Sequence, residues 1–246
     1  MQHDIPHSEA VKTILKSLEL TRHLTIASIL VGEPDTGKRT LVRHLFPETP
    51  IVDGSDQEAL EEALAHSASL IIDRFEKVPN PNALHFEGKQ ILAIADSIHN
   101  AQMLDEMFAF IYTLPPLRER PEDVDLYAQV YRRQAQEILQ VDTEVTLHTD
   151  ALDLRHNLRS LRASVYREVL LASIDRPVIE RSLYHYFMRT LTDEARYHML
   201  LGILERPLLQ AGLDRFGSQL KLAEALGINR NTLRKKIREH LPHDRP

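Results

Sequence analysis

The feature that most constrains the fold is an apolar segment that runs directly into a short loop bounded by glycines. Residues 25–31 have the composition of a buried strand, and a helix is predicted from about Gly37 to Phe46. Between strand and helix stands the sequence Gly32-Glu33-Pro34-Asp35-Thr36-Gly37-Lys38. This succession is typical of a phosphate-binding loop, in which backbone amides, the helix N-terminus and the lysine hold phosphate groups.

Strands and helices alternate on both sides of this loop. The other predicted elements are, in chain order, helix 8–20, strand 51–53, helix 56–66, strand 69–73 and strand 90–95. Such alternation indicates an α/β fold with a parallel sheet covered by helices on both faces. From Pro121 onward the pattern is entirely helical, and a boundary is predicted at Asp175-Arg176-Pro177.

The composition suits a globular protein of two or three units. Of the 246 residues, 43% are hydrophobic and 27% are charged. Cysteine is absent, which excludes disulfides and thiolate metal sites. The sequence has no recognisable signal peptide and no apolar run long enough to cross a bilayer. We therefore expect a cytoplasmic protein with no metal site and no membrane partner.

The net charge of −6 hides an uneven distribution of charges. Residues 175–246 carry 13 Lys/Arg and 9 Asp/Glu, a net charge of +4, so the preceding residues carry −10. Within Ser218–Arg238, six basic residues stand against one acid, Glu224. Positive charge is therefore concentrated where contact with a phosphate backbone would need it.

The most specific segment of the chain is Phe216–Arg238, which predicts two short helices joined by a tight turn. Gly227 supplies the left-handed residue that ends the first helix. The predicted buried residues are Leu222, Ala223, Leu226, Ile228, Leu233 and Ile237, and the predicted exposed polar face carries Asn229, Arg230, Thr232, Arg234, Lys235 and Lys236. A polar, cationic face of this kind suits a helix that enters the major groove of DNA.

Residues 176–241 resemble the Fis family over nearly its whole length, including an aromatic pair, Tyr186-Phe187, and a proline-containing long helix with the sequence Leu204-Glu205-Arg206-Pro207. The resemblance implies a two-fold homodimer that binds and bends double-stranded DNA. It implies base contacts from Asn229 and Arg230 and phosphate contacts from Gln219, Thr232, Arg234 and Lys235. Leu220 departs from the family, which usually has a polar backbone contact there.

The phosphate-binding loop and two later segments resemble the AAA+ domain of bacterial enhancer-binding proteins, the activators of sigma-54 RNA polymerase. The later segments are Leu114-Pro115-Pro116-Leu117-Arg118-Glu119-Arg120-Pro121-Glu122-Asp123-Val124 and Leu154-Arg155-His156-Asn157-Leu158-Arg159-Ser160-Leu161. Many proteins of this family also end in a Fis-type domain. The resemblance implies a degenerate AAA+ α/β subdomain at 1–116, a helical lid at 117–174 and an all-α Fis-like helix-turn-helix domain at 175–246.

The same resemblance implies a nucleotide site for ATP or ADP, with Mg²⁺ if nucleotide is bound. Its residues are Gly32, Glu33, Thr36, Gly37, Lys38, Arg39, Asp73 as the Walker B aspartate, and Arg159 as the lid arginine of sensor II. Pro34 removes a backbone N–H from the loop, and Asp35 adds a negative charge beside the phosphates. The alternative is therefore a loop that has lost phosphate binding, in which Gly32 and Gly37 only form the turn.

Several departures from the family concern hydrolysis. Arg39 replaces the Ser/Thr that holds magnesium, and Arg74 replaces the glutamate that activates water. Asp96 stands where sensor I usually has Asn, and residues 103–110 contain no arginine finger. An arginine finger alone contributes about three to five orders of magnitude in rate, so we expect negligible ATPase activity and no catalytic residues.

The loop that grips sigma-54 in this family, Gly-Ala-Phe-Thr-Gly-Ala, is also absent, and the 35 residues from Lys38 to Asp73 are too few to carry it. We therefore expect a sigma-54-independent DNA-binding regulator whose AAA+ part is a scaffold or a nucleotide sensor. Two alternatives stay open: a residual ATPase that remodels RNA polymerase or another partner, and a non-catalytic protein that joins related AAA+ activators.

Overall fold

The chain divides into two units, Met1–Ile174 and Asp175–Pro246, in the computed structural model. The structure describes residues 6, 8–97, 101–142, 144–192 and 197–241. None of the helices within these ranges is long and apolar enough to cross a membrane.

The first unit is built on a parallel sheet of five strands in the order β2-β3-β4-β1-β5. The strands are β1 (Ala27–Val31), β2 (Ile51–Asp53), β3 (Ser69–Asp73), β4 (Gln90–Ala95) and β5 (Phe110–Thr113). Strand β1 is buried along its whole length and pairs with β4 on one side and with the edge strand β5 on the other. The predicted α/β class with a parallel sheet is confirmed.

The fifth strand was not predicted from the sequence. It has only four residues and lies at the edge of the sheet, where Phe110, Ile111 and Thr113 are exposed. A short edge strand has neither the continuous burial nor the clean alternation by which strands are recognised.

In the described part of the first unit, six α-helices accompany the sheet. They are α1 (Glu9–Leu20), α2 (Lys38–Leu45), α3 (Gln57–His66), α4 (Ala101–Met107), α5 (Pro121–Leu139) and α6 (Asn157–Ala172). One face of the sheet packs on apolar residues of α1 and α2, such as Val11 and Leu41, and the other on residues of α3 and α4, such as Leu60 and Leu104. Helices α5 and α6 pack together around a separate core that includes Ala128, Leu161 and Val165.

A buried ion pair lies at the N-terminus of α5. The side chains of Arg120 and Asp123 are 1% and 0% exposed, and Arg120 Nη1 lies 3.2 Å from Asp123 Oδ2. Asp123 also accepts hydrogen bonds from the backbone N and the Oγ of Ser8, at 2.9 and 2.7 Å. Ser8 occupies the N-cap position of α1, but its hydroxyl makes no cap bond because it binds this buried carboxylate.

Between residues 175 and 192 and between 197 and 241, the second unit has four helices: α7 (Arg176–Thr190), α8 (Tyr197–Phe216), α9 (Gln219–Leu226) and α10 (Arg230–His240). Asp175 precedes α7 and accepts a hydrogen bond from the Val178 amide, the usual role of an aspartate N-cap. The small core joins Leu209 of α8 to Leu222 and Ala223 of α9 and Leu233 of α10.

Loss of the buried carboxylate at residue 123 should destabilise the first unit. Asp123→Ala leaves the Arg120 guanidinium buried without its counter-ion, which typically costs about 3–5 kcal/mol. Asp125→Ala removes an exposed carboxylate from the same helix and should change stability by no more than about 0.5 kcal/mol. Denaturant unfolding followed by circular dichroism measures both, and equal losses in the two variants would contradict the assignment.

Candidate functional site

An open cavity of about 540 Å³ lies beside the phosphate-binding loop, at the carboxyl ends of β3 and β4. This volume is in the usual range for small-molecule pockets, about 300–1,000 Å³. The sheet and loop contribute Pro34, Asp35, Thr36, Gly37, Lys38, Arg39, Thr40, Asp73, Arg74, Ile94 and Asp96, and the lid contributes Tyr131, Leu158, Arg159 and Arg162.

Lys38 is buried and held by three oxygens. Its Nζ donates to the backbone oxygens of Gly32 and Glu33, each at 2.7 Å, and lies 2.8 Å from Asp96 Oδ1. The lysine charge is therefore already neutralised by a carboxylate at the end of β4. An anion that entered the cavity would share Lys38 with Asp96.

Arg39 reaches across to the end of β3. Its Nη1 lies 3.1 Å from Asp73 Oδ2, so the carboxylate that resembles the Walker B aspartate is paired with a guanidinium. The next residue, Arg74, takes a left-handed backbone conformation with φ 54° and pairs with Asp53 at the end of β2. Arg39 and Arg74 thus each form an ion pair with an aspartate at the carboxyl end of a strand.

Glu33 links the phosphate-binding loop to Arg118 and to Asn157 at the start of α6. Arg118 makes a bidentate ion pair with its carboxylate, at 2.6 and 2.9 Å, and Asn157 Nδ2 donates to it at 3.1 Å. These hydrogen bonds, with that of Arg118 foremost, lower the pKa of Glu33 to about 2. Asn157 Nδ2 also donates to the Pro34 carbonyl, and the Leu158 amide donates to the Asp35 carbonyl.

The eight residues predicted to bind nucleotide lie close together, but not all of them face the cavity. Thr36, Gly37, Lys38, Arg39, Asp73 and Arg159 line it, whereas Gly32 and Glu33 do not. Gly32 approaches β5 so closely that a Cβ would lie 2.6 Å from the Leu114 carbonyl oxygen. The carboxylate of Glu33 is drawn away to the lid by Arg118.

Three residues of α5 and α6 that line the cavity were not predicted: Tyr131, Leu158 and Arg162. Arg162 stands three residues after Arg159 on α6, a spacing that puts both guanidinium groups on one helix face and that could have identified it. Tyr131 of α5 also lines the cavity, and burial raises the pKa of its phenol. No local sequence pattern points to Tyr131.

The turn between α9 and α10 has the geometry predicted for it. Gly227 ends α9 in the left-handed region with φ 63°, and its amide donates to the carbonyl of Glu224. Leu222, Ala223 and Leu233 are buried, and Leu226, Ile228 and Ile237 pack against them. The predicted core of the two helices is therefore confirmed.

All six residues predicted to contact DNA are exposed: Gln219, Asn229, Arg230, Thr232, Arg234 and Lys235. Asn229 is the N-cap of α10, and its Oδ1 accepts a hydrogen bond from the Asn231 amide. Its side-chain amide thus keeps two N–H donors to offer at the N-terminus of the helix. Lys235 lies 3.8 Å from Glu239, an exposed pair of little energetic weight.

Lys236 was predicted to lie on the same cationic face, and this prediction is wrong. Its ammonium group is half-buried and pairs with Glu205 of α8. His240 Nε2 lies 2.8 Å from the other oxygen of the same carboxylate. Hydrogen bonding from Lys236 lowers the pKa of Glu205, so the carboxylate is ionised and fastens α10 to α8.

The second unit also exposes many apolar side chains. On α7, Tyr184, Met188 and the following Leu191 are 60%, 63% and 57% exposed. Spacings of four and three residues place them along one side of a helix. On α8, Tyr197, Met199, Leu204 and Leu208 are exposed as well. Clusters of exposed apolar side chains are a common feature of protein interaction sites.

Comparison with known proteins found similarities for both units. Residues 201–240 match the family described as "Bacterial regulatory protein, Fis family". A putative Fis-like DNA-binding protein of Pseudomonas aeruginosa is 39% identical over 70 residues, which are 26% of this chain and 65% of that protein. The matched region contains α9, α10 and most of α8.

The similarity extends beyond the second unit. The DNA-binding transcriptional regulator NtrC of Rhizobium meliloti is 30% identical over 166 residues, covering 51% of this chain and 34% of the relative. The chain thus spans about a third of the length of that curated relative. Crystalline NtrX of Brucella abortus in complex with ATP has the same fold, with a TM-score of 0.55 and 16% identity over 98% of this chain and 69% of NtrX. The chain is therefore similar in sequence to NtrC over about half of its length, similar to the Fis family over residues 201–240, and similar in fold to NtrX.

Proposed function

We propose that this protein is a homodimeric transcription regulator that binds double-stranded DNA through α9 and α10 and acts without sigma-54. The observation that carries the proposal is the exposed surface of α10. This helix has five Lys/Arg and one acid, and its N-terminus presents Asn229 and Arg230 to solvent. Buried Leu233 fixes the opposite face of the helix against α8 and α9.

The chemistry of this surface suits a DNA groove. An arginine can donate two hydrogen bonds to the O6 and N7 of guanine, and an asparagine amide can donate to acceptors on base edges. Gln219 at the start of α9 and Arg234 and Lys235 further along α10 add donors and cations for phosphates. We assign base contacts to Asn229 and Arg230, and phosphate contacts to Gln219, Thr232, Arg234 and Lys235.

A homodimer would explain the apolar surface of α7 and α8. Helix-turn-helix regulators commonly bind as two-fold dimers, because two recognition helices then reach successive turns of the major groove. We assign the stripe formed by Tyr184, Met188 and Leu191 to the dimer interface. Burial of these three side chains between protomers would remove their exposed apolar surface from water, which favours association.

The AAA+ domain in this proposal binds nucleotide and does not hydrolyse it, so it serves as a scaffold or sensor. Support for binding comes from the cavity with Lys38 and Arg159 and from the ATP complex of NtrX, which has the same fold. Support for the loss of hydrolysis comes from Arg74, a cation in the place of a water-activating carboxylate, which pairs with Asp53.

Independence from sigma-54 is supported by the compactness of the sheet edge. Between Lys38 and Asp73 the chain contains only α2, β2, α3, β3 and their short connections. Helix α3 ends at His66 and β3 begins at Ser69, so no inserted loop stands between them. A protein without such a loop lacks the element with which its relatives are expected to grip that sigma factor.

Removal of one recognition side chain should weaken specific DNA binding. Arg230→Ala should cost about 1–3 kcal/mol on a site recovered by genome-wide footprinting, because bidentate base contacts are lost. Arg189→Ala removes an exposed arginine from the end of α7 and serves as the matched control. Affinity measured by fluorescence anisotropy should fall only for Arg230→Ala, and an unchanged affinity would count against the proposed interface.

A charge on the α7 stripe should dissociate the dimer. Met188→Glu would place a carboxylate between apolar surfaces, and we expect the dimer dissociation constant to rise by about tenfold or more. Leu20→Glu alters an exposed apolar residue of the first unit and should leave the dimer dissociation constant unchanged. Sedimentation velocity distinguishes monomer from dimer, and a wild-type protein that is monomeric throughout would refute the dimer.

Phosphate release should stay at background. We expect wild-type protein and Lys38→Ala to release inorganic phosphate from ATP at the same rate, in the presence and absence of bound DNA. Release above background that Lys38→Ala abolishes would instead favour the residual ATPase, which the surviving Lys38, Asp73 and Arg159 keep as the second candidate function.

A further inference from the structure

The position of the magnesium ligands in the cavity is occupied by an ion pair within the protein. In phosphate-binding loops the residue after the lysine supplies a hydroxyl to Mg²⁺, and here that residue is Arg39. Its guanidinium lies 3.1 Å from Asp73, the carboxylate at the end of β3. Arg39 therefore provides no hydroxyl ligand for Mg²⁺, and it also pairs with Asp73, which would be a second oxygen ligand.

The donor set does not fit a divalent cation. Mg²⁺ requires oxygen ligands in near-octahedral geometry, whereas the carboxylate of Asp73 is paired with the guanidinium of Arg39. Coulomb repulsion opposes a doubly charged ion beside a guanidinium. Within the part of the chain that the structure describes, no cluster of three or more His, Asp or Glu residues could hold a metal ion.

The charges of the cavity fit an anion. Five cationic side chains line it, Lys38, Arg39, Arg74, Arg159 and Arg162, against three carboxylates, Asp35, Asp73 and Asp96. Arg159 and Arg162 are exposed on α6, and among the described residues neither guanidinium pairs with a carboxylate. Since Lys38, Arg39 and Arg74 each pair with a carboxylate, Arg159 and Arg162 are the cations available to a phosphate-bearing ligand.

We propose that this cavity binds nucleotide phosphates without a divalent cation, and that the guanidinium of Arg39 takes the place of the metal. The inference rests on the proposal that the AAA+ domain binds nucleotide and adds the form in which it does so. A guanidinium has five N–H donors, so Arg39 can keep its bond to Asp73 and still donate to a phosphate oxygen. Arg39 lies at the N-terminal end of α2, where its guanidinium would supply the positive charge that a metal ion otherwise supplies.

This arrangement also separates binding from hydrolysis. A metal ion spans two phosphate groups and withdraws charge as the bond between them breaks. A guanidinium that is tied to Asp73 neutralises the ligand but offers no site for an activated water. A ligand held in this way would persist unchanged in the cavity, which suits a sensor of nucleotide concentration.

The test is the affinity of the full chain for ATP and ADP, measured by isothermal titration calorimetry in excess EDTA and again in excess Mg²⁺. We expect the two dissociation constants to agree within about twofold. Tightening by Mg²⁺ of tenfold or more would overturn the inference. Absence of binding in both buffers would also overturn it, and if the same preparation still bound DNA, the proposed DNA-binding function would stand.

Substitution of Arg39 tests its role directly. Arg39→Ser restores a hydroxyl and releases Asp73, so we expect affinity in EDTA to fall by about tenfold and Mg²⁺ to recover part of it. Arg43→Ser is the matched control, because Arg43 lies on the same helix and donates to the carbonyls of Pro47 and Thr49 outside the cavity. Equal affinity of Arg39→Ser and Arg43→Ser in EDTA would show that Arg39 does not replace the metal.

Arg159→Ala locates the ligand. Arg159 is exposed and lies on the lid side of the cavity, so its loss should weaken binding in both buffers without unfolding the protein. Thermal unfolding of the variant without ligand provides the folding control. Unchanged affinity in Arg159→Ala would place the nucleotide elsewhere and would refute this cavity as its site.

Discussion

The first unit depends on the buried ion pair between Arg120 and Asp123. Asp123 holds the residue that precedes α1 through two bonds from Ser8, and Arg120 donates to the carbonyl of Thr36 in the phosphate-binding loop. One pair of charges thus joins the N-terminal helix, the loop and the lid. These partners offset the desolvation of the two charges, although Arg120 Nε is buried without a hydrogen-bond partner among the described residues. The resulting position of the lid brings Arg159 of α6 to the cavity.

Most of the fold could be predicted because its elements carry strong local patterns. The strands at 51–53, 69–73 and 90–95 have the predicted bounds, since each is a short apolar run between helices or turns. The edge strand β5 could not be predicted, because its pairing with β1 depends on residues far away in sequence and its side chains are mostly exposed. In the second unit, Gly227 predicts the turn because glycine readily takes the left-handed conformation that ends α9.

The candidate sites were predictable as sets of residues but not as sets of interactions. The loop residues are contiguous, so their proximity follows from the sequence, whereas their partners come from distant segments. Lys38 is held by Asp96, and Glu33 is held by Arg118, 85 residues away. Lys236 belongs by spacing to the cationic face of α10, yet a carboxylate on α8 engages it. Charge pairing of this kind is a property of the folded chain, and it decides which cations are free to meet a ligand.

The left-handed asparagine at the start of α6 couples two parts of the molecule mechanically. Asn157 has φ 49°, and its side chain accepts from the Leu117 amide while it donates to Glu33 and Pro34. A displacement of the loop that breaks these bonds would remove the contacts that hold Asn157 in its left-handed conformation. Because Asn157 is the first residue of α6, a change at the loop would be transmitted to the N-terminus of that helix.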